Sequence, residues 1–399
     1  MTIPSVPTLF VECTHTYRSA LNTGIQRVVR NILRHAPDAA APLGLQVVPL
    51  VFDGGTPRFI EPAAVLDGKL PAPIGAACRI WRKLLAIAGH RPPSELDRYG
   101  EGSVLLLLDS SWDIPLWPAA RRFTARGGRV ASVIYDLIPL THPDSAVGEL
   151  PAIFRRWLVA QADTSEAFLC ISAATAVELD RFMTAAGKRP SIASFPLGSE
   201  LDLTGPEDEI RPAFQAIFAA KRPSFLMVGT IEPRKRHGFV LDAFELYWQQ
   251  GGTGALVMLG RQDWRSGDLL DRIARHPERD RRLFLIRDAN DADLDHAYRH
   301  ATALIMASEV EGFGLPIVEA FQRGLPVLCA DIPVFREVAE TGAAFFAPED
   351  PRGLAGMLQH PPAVRTPGKW LTWRDSTDKL VGALASALDL EKSATADNT

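Results

Sequence analysis

From residue 8 to residue 331, short apolar runs alternate with stretches of helical periodicity, and this alternation constrains the fold more than any other feature. In the first half the runs are 8–13 "TLFVEC", 45–52 "LQVVPLVF", 103–109 "SVLLLLD", 129–136 "RVASVIYD" and 167–172 "AFLCIS". In the second half they are 224–229 "SFLMVG", 254–260 "GALVMLG", 282–287 "RLFLIR", 303–308 "ALIMAS" and 326–331 "PVLCAD". They are apolar on both faces, as strands are when helices cover both sides of a parallel sheet. A chain of 399 residues exceeds one typical core, so two domains are expected. The acidic, proline-punctuated stretch "SELDLTGPEDEIRP" at 199–212 is the best linker. The expected fold is α/β: two Rossmann-like, doubly wound parallel-sheet domains facing across a cleft. Their expected spans are 1–205 and 206–375, followed by a C-terminal helix and disordered tail over 376–399. Ligands of such sheets bind at the carboxyl ends of the strands.

Bulk properties exclude several classes. A net charge of −4 argues against a general nucleic-acid binder, which carries a basic surface. No uncharged apolar run reaches the ~18 residues of a membrane span. The N-terminus "MTIPSVPTLFVEC" lacks a basic region ahead of its apolar stretch, so no secretory leader is expected. Cys13, Cys78, Cys170 and Cys329 are far apart and form no CxxC pair. They read as buried thiols of a cytoplasmic protein.

The most informative segment is "EVEGFGLPIVEAF", 309–321. Placed at the carboxyl end of strand 303–308, Glu309 to Leu315 form a loop, and Pro316 suits the first turn of the next helix. Gly312 and Gly314 let the backbone approach a ligand closely, with free N–H groups and a positive helix end behind them. Glu311 in the loop and Glu319 in the first helical turn then both reach one pocket. Two carboxylates there accept hydrogen bonds from vicinal hydroxyls, as a ribose and a sugar present them. The blander assignment pairs Glu319 with its own helix dipole and leaves Glu311 solvated.

The segment resembles the E-x7-E signature of retaining glycosyltransferases of family four, which have the GT-B architecture. "VGTIEPRKRHGFVLDAF" at 228–244 resembles the phosphate-binding segment of that family, and "LGRQDW" at 259–264 and 293–339 continue the resemblance. "YDLIPLTHP", "CISAATAVEL" and "PLGSEL" match weaker motifs of the N-terminal half, and "NTGIQRVVRNIL" at 22–33 is similar to the first strand–helix segment of bacterial polysaccharide members. The resemblance covers most of the chain. It implies that Glu319 binds the nucleotide ribose and Glu311 the donor-sugar hydroxyls. Backbone N–H groups of Phe313, Gly314 and Leu315 would surround sugar and diphosphate, near Gly229 and Thr230. Lys235 and Arg234 would neutralise the departing diphosphate; a solvated basic turn is the alternative for "PRKRH". Residues near Arg287 and Asp288 would frame the base.

The resemblance further implies a metal-independent, retaining transfer with no dedicated protein nucleophile and no cofactor, the nucleotide sugar being a substrate. GDP-mannose is the first expectation for the donor; dTDP-rhamnose, GDP-fucose and UDP-sugars stay open. The acceptor would be a growing, lipid-linked bacterial glycan. Two positions depart from the family pattern: Thr230 stands where many relatives carry Arg, and Tyr135 precedes Asp136 where many carry His. Asp136 either orients the acceptor hydroxyl or sugar, or caps the following turn. Gly24, after a Thr23 N-cap, opens a helix whose N-terminus can face the diphosphate, with Arg27 on its first turn. Asp109, Trp112 and Asp113 sit at another strand end on the presumed acceptor side, where Trp112 either stacks on a sugar or is buried.

Other patterns compete. "DAD" at 291–293 imitates a metal-binding DxD, but acids are ordinary in a first helical turn. His296 and His300 fall at i, i+4 without a third ligand, so no metal is expected. "CRIWRKLLAIAGHRP" at 78–92 reads either as a peripheral contact with anionic lipid or as a basic helix packed on its domain. A nucleotide-sugar epimerase and a non-catalytic subunit of a glycan assembly complex are the alternatives from other classes.

Overall fold

The computed structural model describes residues 6–19, 24–67, 94–146, 148–201, 210–262, 266–361 and 369–390. The 78–92 segment, Thr23, Cys78 and most of the 199–212 linker lie outside them. The chain forms two compact units. The first comprises residues 1–140, 147–196 and 373–399, and the second comprises 141–146 and 197–372.

The first unit is built on a seven-stranded sheet of order β3-β2-β1-β4-β5-β6-β7. These strands are β1 (Thr8–Glu12), β2 (Gln46–Asp53), β3 (Thr56–Phe59), β4 (Val104–Leu107), β5 (Arg129–Ile134), β6 (Ala167–Cys170) and β7 (Ser191–Ser194). All neighbours run parallel except β2 and β3, a hairpin closed at Asp53 and Thr56. The parallel sheet expected from the sequence thus carries one antiparallel edge strand. Gly54 and Gly55, both at positive φ, let the chain reverse within two residues.

Helices cover both faces. On one, Phe10, Phe52, Leu105, Leu107 and Phe123 form a core with Phe59 and Tyr99 against it. Phe10 stacks on Phe59 at 5.0 Å and meets Tyr99 edge-on at 4.8 Å. On the other, Ile134, Phe154, Trp157, Phe168, Leu179 and Met183 pack together. The helix Trp373–Ala387 returns to this unit, burying Trp373, Leu380 and Leu384 while packing on the helix Gly24–Ala40 and on β6 and β7.

The second unit has a six-stranded, all-parallel sheet of order β10-β9-β8-β11-β12-β13. Its strands are β8 (Ser224–Val228), β9 (Ala255–Leu259), β10 (Leu283–Ile286), β11 (Ala303–Met306), β12 (Val327–Ala330) and β13 (Ala343–Phe346). Strands β9, β11 and β12 are buried along their whole length, as two-sided helical cover requires.

In each sheet the order reverses once. The first reverses beside β1, between β1 and β4; the second beside β8, between β8 and β11. Loops leaving the carboxyl ends on either side of such a reversal diverge to opposite faces, opening a crevice that the sheet does not fill.

Candidate functional site

The β8–β11 reversal gathers a cluster of charged residues in the second unit. After β8 the backbone turns at Gly229, whose φ of 141° favours glycine, and passes through the single turn Pro233–Lys235. After β11 it runs through Ser308 to Glu311 and enters the helix Leu315–Gln322 at Gly314, whose φ is 99°. A Cβ on Gly314 would lie 3.0 Å from the Phe335 ring, so space as well as conformation requires glycine.

Side chains from the two loops converge. Lys235 Nζ donates to Glu311 Oε1, and Arg234 Nη1 lies 3.1 Å from Glu311 Oε2. Arg234 also reaches Glu232 Oε1 at 2.6 Å and the Val310 carbonyl at 3.1 Å. Ser308 Oγ donates to Glu311 Oε1 at 2.8 Å, and the Glu309 N–H to the Arg234 carbonyl at 2.8 Å. The Glu311, Lys235 and Arg234 side chains are only 9%, 12% and 18% exposed. Burial pushes the Glu311 carboxyl upward, but the adjacent Lys235 and Arg234 charges and the Lys235 and Ser308 hydrogen bonds outweigh it, bringing its pKa down to about 2.

Two neighbours complete this turn. Arg236 adopts a left-handed conformation at φ 57°, which costs a non-glycine residue about 1–2 kcal/mol. Its guanidinium bonds the Pro348 carbonyl at 2.7 Å and lies 4.7 Å from the centroid of the Phe239 ring. His237 begins the next helix, buried, with neither ring nitrogen paired among the described residues. Burial, then the Lys235 charge, pull its pKa to about 3, so the ring is neutral at physiological pH.

Glu319 occupies a different setting. The helix starts at Leu315 with Pro316 second, which places Glu319 beyond the first turn where the sequence put it. Its side chain is buried, and Oε2 accepts the Tyr298 hydroxyl at 2.6 Å. Phe313 is buried and Thr230 exposed. At the end of β10, Arg287 bonds Gln262 at 2.8 Å, while Asp288 pairs with Arg211 at 3.0 Å.

Asp293 of "DAD" forms a capping box with Asn290 and binds Arg211 at 2.6 Å; the acids are thus engaged at a helix start. The His296 and His300 rings stack 4.0 Å apart. Among the described residues no group of three or more His, Cys, Asp or Glu converges as a metal site would.

In the first unit, Asp136 Oδ1 accepts the Ile138 N–H at 3.0 Å, the turn-capping alternative. Trp112, half-buried, packs with ring centroids at 5.9 Å from Phe154 and 6.2 Å from Trp157. Asp113 pairs with His15 at 2.7 Å. Gly24 opens its helix, and Arg27 lies half-buried on the first turn, its carbonyl accepting Asn31 Nδ2 at 2.9 Å. Asp109 is buried and holds the Thr16 N–H at 2.6 Å and the Ser110 N–H at 2.7 Å.

Next to it sequence reasoning missed Glu12, which ends β1 at the first sheet's reversal. Oε1 accepts the Thr14 N–H at 2.8 Å, while Oε2 is buried with no partner among the described residues. Burial first, then the neighbouring Asp109, raise its pKa to about 8. The signal was available: an acid inside an otherwise apolar strand. Cys13, Cys170 and Cys329 are buried, and burial pushes all three thiols up, so they are unreactive.

The fold defines a class: the chain has the GT-B architecture. It aligns over 98% of its length with all of the Anabaena Alr3699/HepE chain solved with UDP-glucose, at TM-score 0.61 and 15% identity. Sucrose-phosphate synthase from Thermosynechococcus elongatus aligns at TM-score 0.58 and 15% identity, covering 97% of this chain and 98% of that one.

Residues 210–359 of the second unit match the family Glycosyl transferases group 1. Over 393 residues the chain is 30% identical to the serotype-specific mannosyltransferase WbdA of Escherichia coli, covering 94% of this chain and 46% of WbdA. It therefore spans less than half the length of that relative. The O-antigen chain mannosyltransferase B of Escherichia coli is 25% identical over 231 residues, 58% of this chain and 60% of that one. No described helix is long and apolar enough to cross a membrane.

Proposed function

We propose that the chain is a glycosyltransferase that moves a sugar from a nucleotide donor to a growing bacterial surface glycan, with mannose from GDP-mannose as the donor. The observation that carries this reading is the Glu311–Lys235–Arg234 cluster at the strand-order reversal of the second sheet, inside the segment that matches the group 1 family. The sugar follows from the mannosyltransferases the chain resembles. O-antigen synthesis in a named relative supports a glycan acceptor, carried on a lipid in our reading.

In this reading the acceptor hydroxyl attacks the anomeric carbon on the face from which the diphosphate leaves. The carbon–oxygen bond to the nucleoside diphosphate breaks, and a leaving-phosphate oxygen takes the acceptor proton, so the configuration is retained without a protein nucleophile. The developing charge on the diphosphate needs fixed cations. Lys235 suits this role because its ammonium has three donors and can bind Glu311 and a phosphate oxygen together. Arg234 offers a planar fork that chelates phosphate. Glu311, kept ionised by both, accepts hydroxyls of the sugar, and Glu319 those of the ribose. No metal enters this scheme.

The test is a thermal-shift panel of GDP, UDP, dTDP and ADP, with EDTA and with Mg²⁺. A nucleotide at ~100 times its dissociation constant stabilises the fold by roughly 2.7 kcal/mol. Stabilisation by GDP in EDTA supports a metal-free GDP-sugar donor, and stabilisation by another base reassigns the donor. A panel with no shift at all overturns the donor site.

A further inference from the structure

The Glu319 carboxylate is reached from a neighbouring helix by a donor that carries no charge. Tyr298, on the helix Asp291–His300, donates its hydroxyl to Glu319 Oε2 at 2.6 Å. Each residue is 1% exposed. The Tyr298 ring is itself held: the Arg323 guanidinium lies 5.7 Å from its centroid. That guanidinium also donates to Asp295 Oδ1 at 2.6 Å and to the Glu319 backbone carbonyl at 3.2 Å. Asp295, one turn before Tyr298, takes Arg299 as well, at 2.5 Å. Asp295 thus answers the Arg323 charge, and the phenol meets the Glu319 carboxylate.

The contrast with Glu311 is instructive. Two cations grip Glu311, whereas the phenol orients Glu319 without introducing an opposite charge that would compete with hydroxyl donors. A carboxylate has about four lone-pair positions, and the phenol takes one of them.

We propose that Tyr298 is a positioning residue for donor recognition: its hydroxyl fixes the Glu319 carboxylate in the orientation that accepts the vicinal hydroxyls of a nucleotide's ribose. The proposal rests on the assignment of Glu319 to the ribose made above. Tyr298 thereby sets how strongly ribonucleotides are preferred over 2′-deoxyribonucleotides.

The experiment measures dissociation constants of GDP, UDP and their 2′-deoxy forms by calorimetry. It uses the full chain as wild type, Tyr298→Phe, Glu319→Gln and the double variant. Wild type should prefer the ribonucleotide by about tenfold or more, the worth of one hydrogen bond to a charged group. Tyr298→Phe should cut that preference to about threefold or less by weakening the ribonucleotide alone, and the double variant should match Glu319→Gln.

A Tyr298→Phe protein with the wild-type preference, beside a Glu319→Gln protein that has lost it, overturns the positioning role and leaves the ribose assignment standing. Retention of the preference by Glu319→Gln, or its absence from wild type, overturns both. A structural loss in Tyr298→Phe would weaken both nucleotide forms equally, and that outcome also overturns the proposal.

Discussion

Lys235 and Glu311 meet across the β8–β11 reversal although 76 residues separate them in the chain. Neither loop alone builds a charged site; the strand order brings a cation from one and an acid from the other into the same crevice. Removing Lys235 leaves Glu311 with Arg234 at 3.1 Å and Ser308 at 2.8 Å, so the fold keeps a partner for the acid. We expect Lys235→Ala to weaken nucleoside diphosphate binding by about 10- to 100-fold, the range of one charge-assisted hydrogen bond. Calorimetric titration checks it; unchanged affinity would remove Lys235 from the phosphate site.

Glu311 should make stability sensitive to acid. Its folded pKa of about 2 lies below the ordinary value of 4.5, so its contribution is fully present above about pH 4.5 and is lost as pH falls towards 2. The shift corresponds to roughly 3 kcal/mol. Glu311→Gln should therefore be less stable than wild type at pH 6, with the gap narrowing on acidification. Denaturant titrations of both proteins at pH 6 and pH 3 measure this, and a gap that stays constant or widens contradicts it.

Glu12 works in the opposite direction. Its folded pKa of about 8 exceeds the ordinary 4.5, so between these values the folded state holds a proton that the unfolded state has released. Stability consequently falls as pH rises from about 4.5 to about 8 and levels off above that. Glu12→Gln retains an oxygen for the Thr14 N–H at 2.8 Å and removes the titration. It should be more stable than wild type by about 1–3 kcal/mol at pH 8, with the advantage vanishing near pH 4.5. Equal stabilities at pH 8 would count against a buried protonated acid.

Gly314 is predicted to tolerate no side chain. With φ at 99° and a Cβ position 3.0 Å from Phe335, Gly314→Ala should lose about 1–3 kcal/mol through strain. It should also disturb nucleotide binding, because the same residue starts the helix that carries Glu319. Chemical denaturation read alongside nucleotide titration tests both effects; wild-type behaviour in each would refute them.

Sequence patterning located the sheets through runs such as 303–308 and 224–229, whose two-sided apolarity admits little besides a covered parallel strand. It overlooked β3, β7 and β13 for physical reasons. "TPRF" is a short polar edge strand containing a proline, "SIAS" is largely solvated, and "AAFF" is too short to show a period. At the site, Glu311 was legible because it closely follows the apolar run 303–308, where a strand must end, and Lys235 through the resemblance of 228–244 to a phosphate-binding segment. Tyr298 was not, since its partner Glu319 lies 21 residues away on another helix and no local rule links a phenol to that acid. Glu12 stood out as an acid in an apolar strand, but its elevated pKa depends on burial and on Asp109, which lies far away in sequence and is brought close only by the fold.

The helix Trp373–Ala387 closes the first unit only after the chain has passed through the whole of the second. In topological terms residues 197–372, the bulk of the second unit, are an insertion that can mature while its host still lacks a piece. During synthesis the hydrophobic seat later covered by Trp373 and Leu384 would stay open while well over a hundred residues emerge. A break at the boundary near residue 372 would thus injure the half of the molecule farthest away in sequence and spare the half it adjoins.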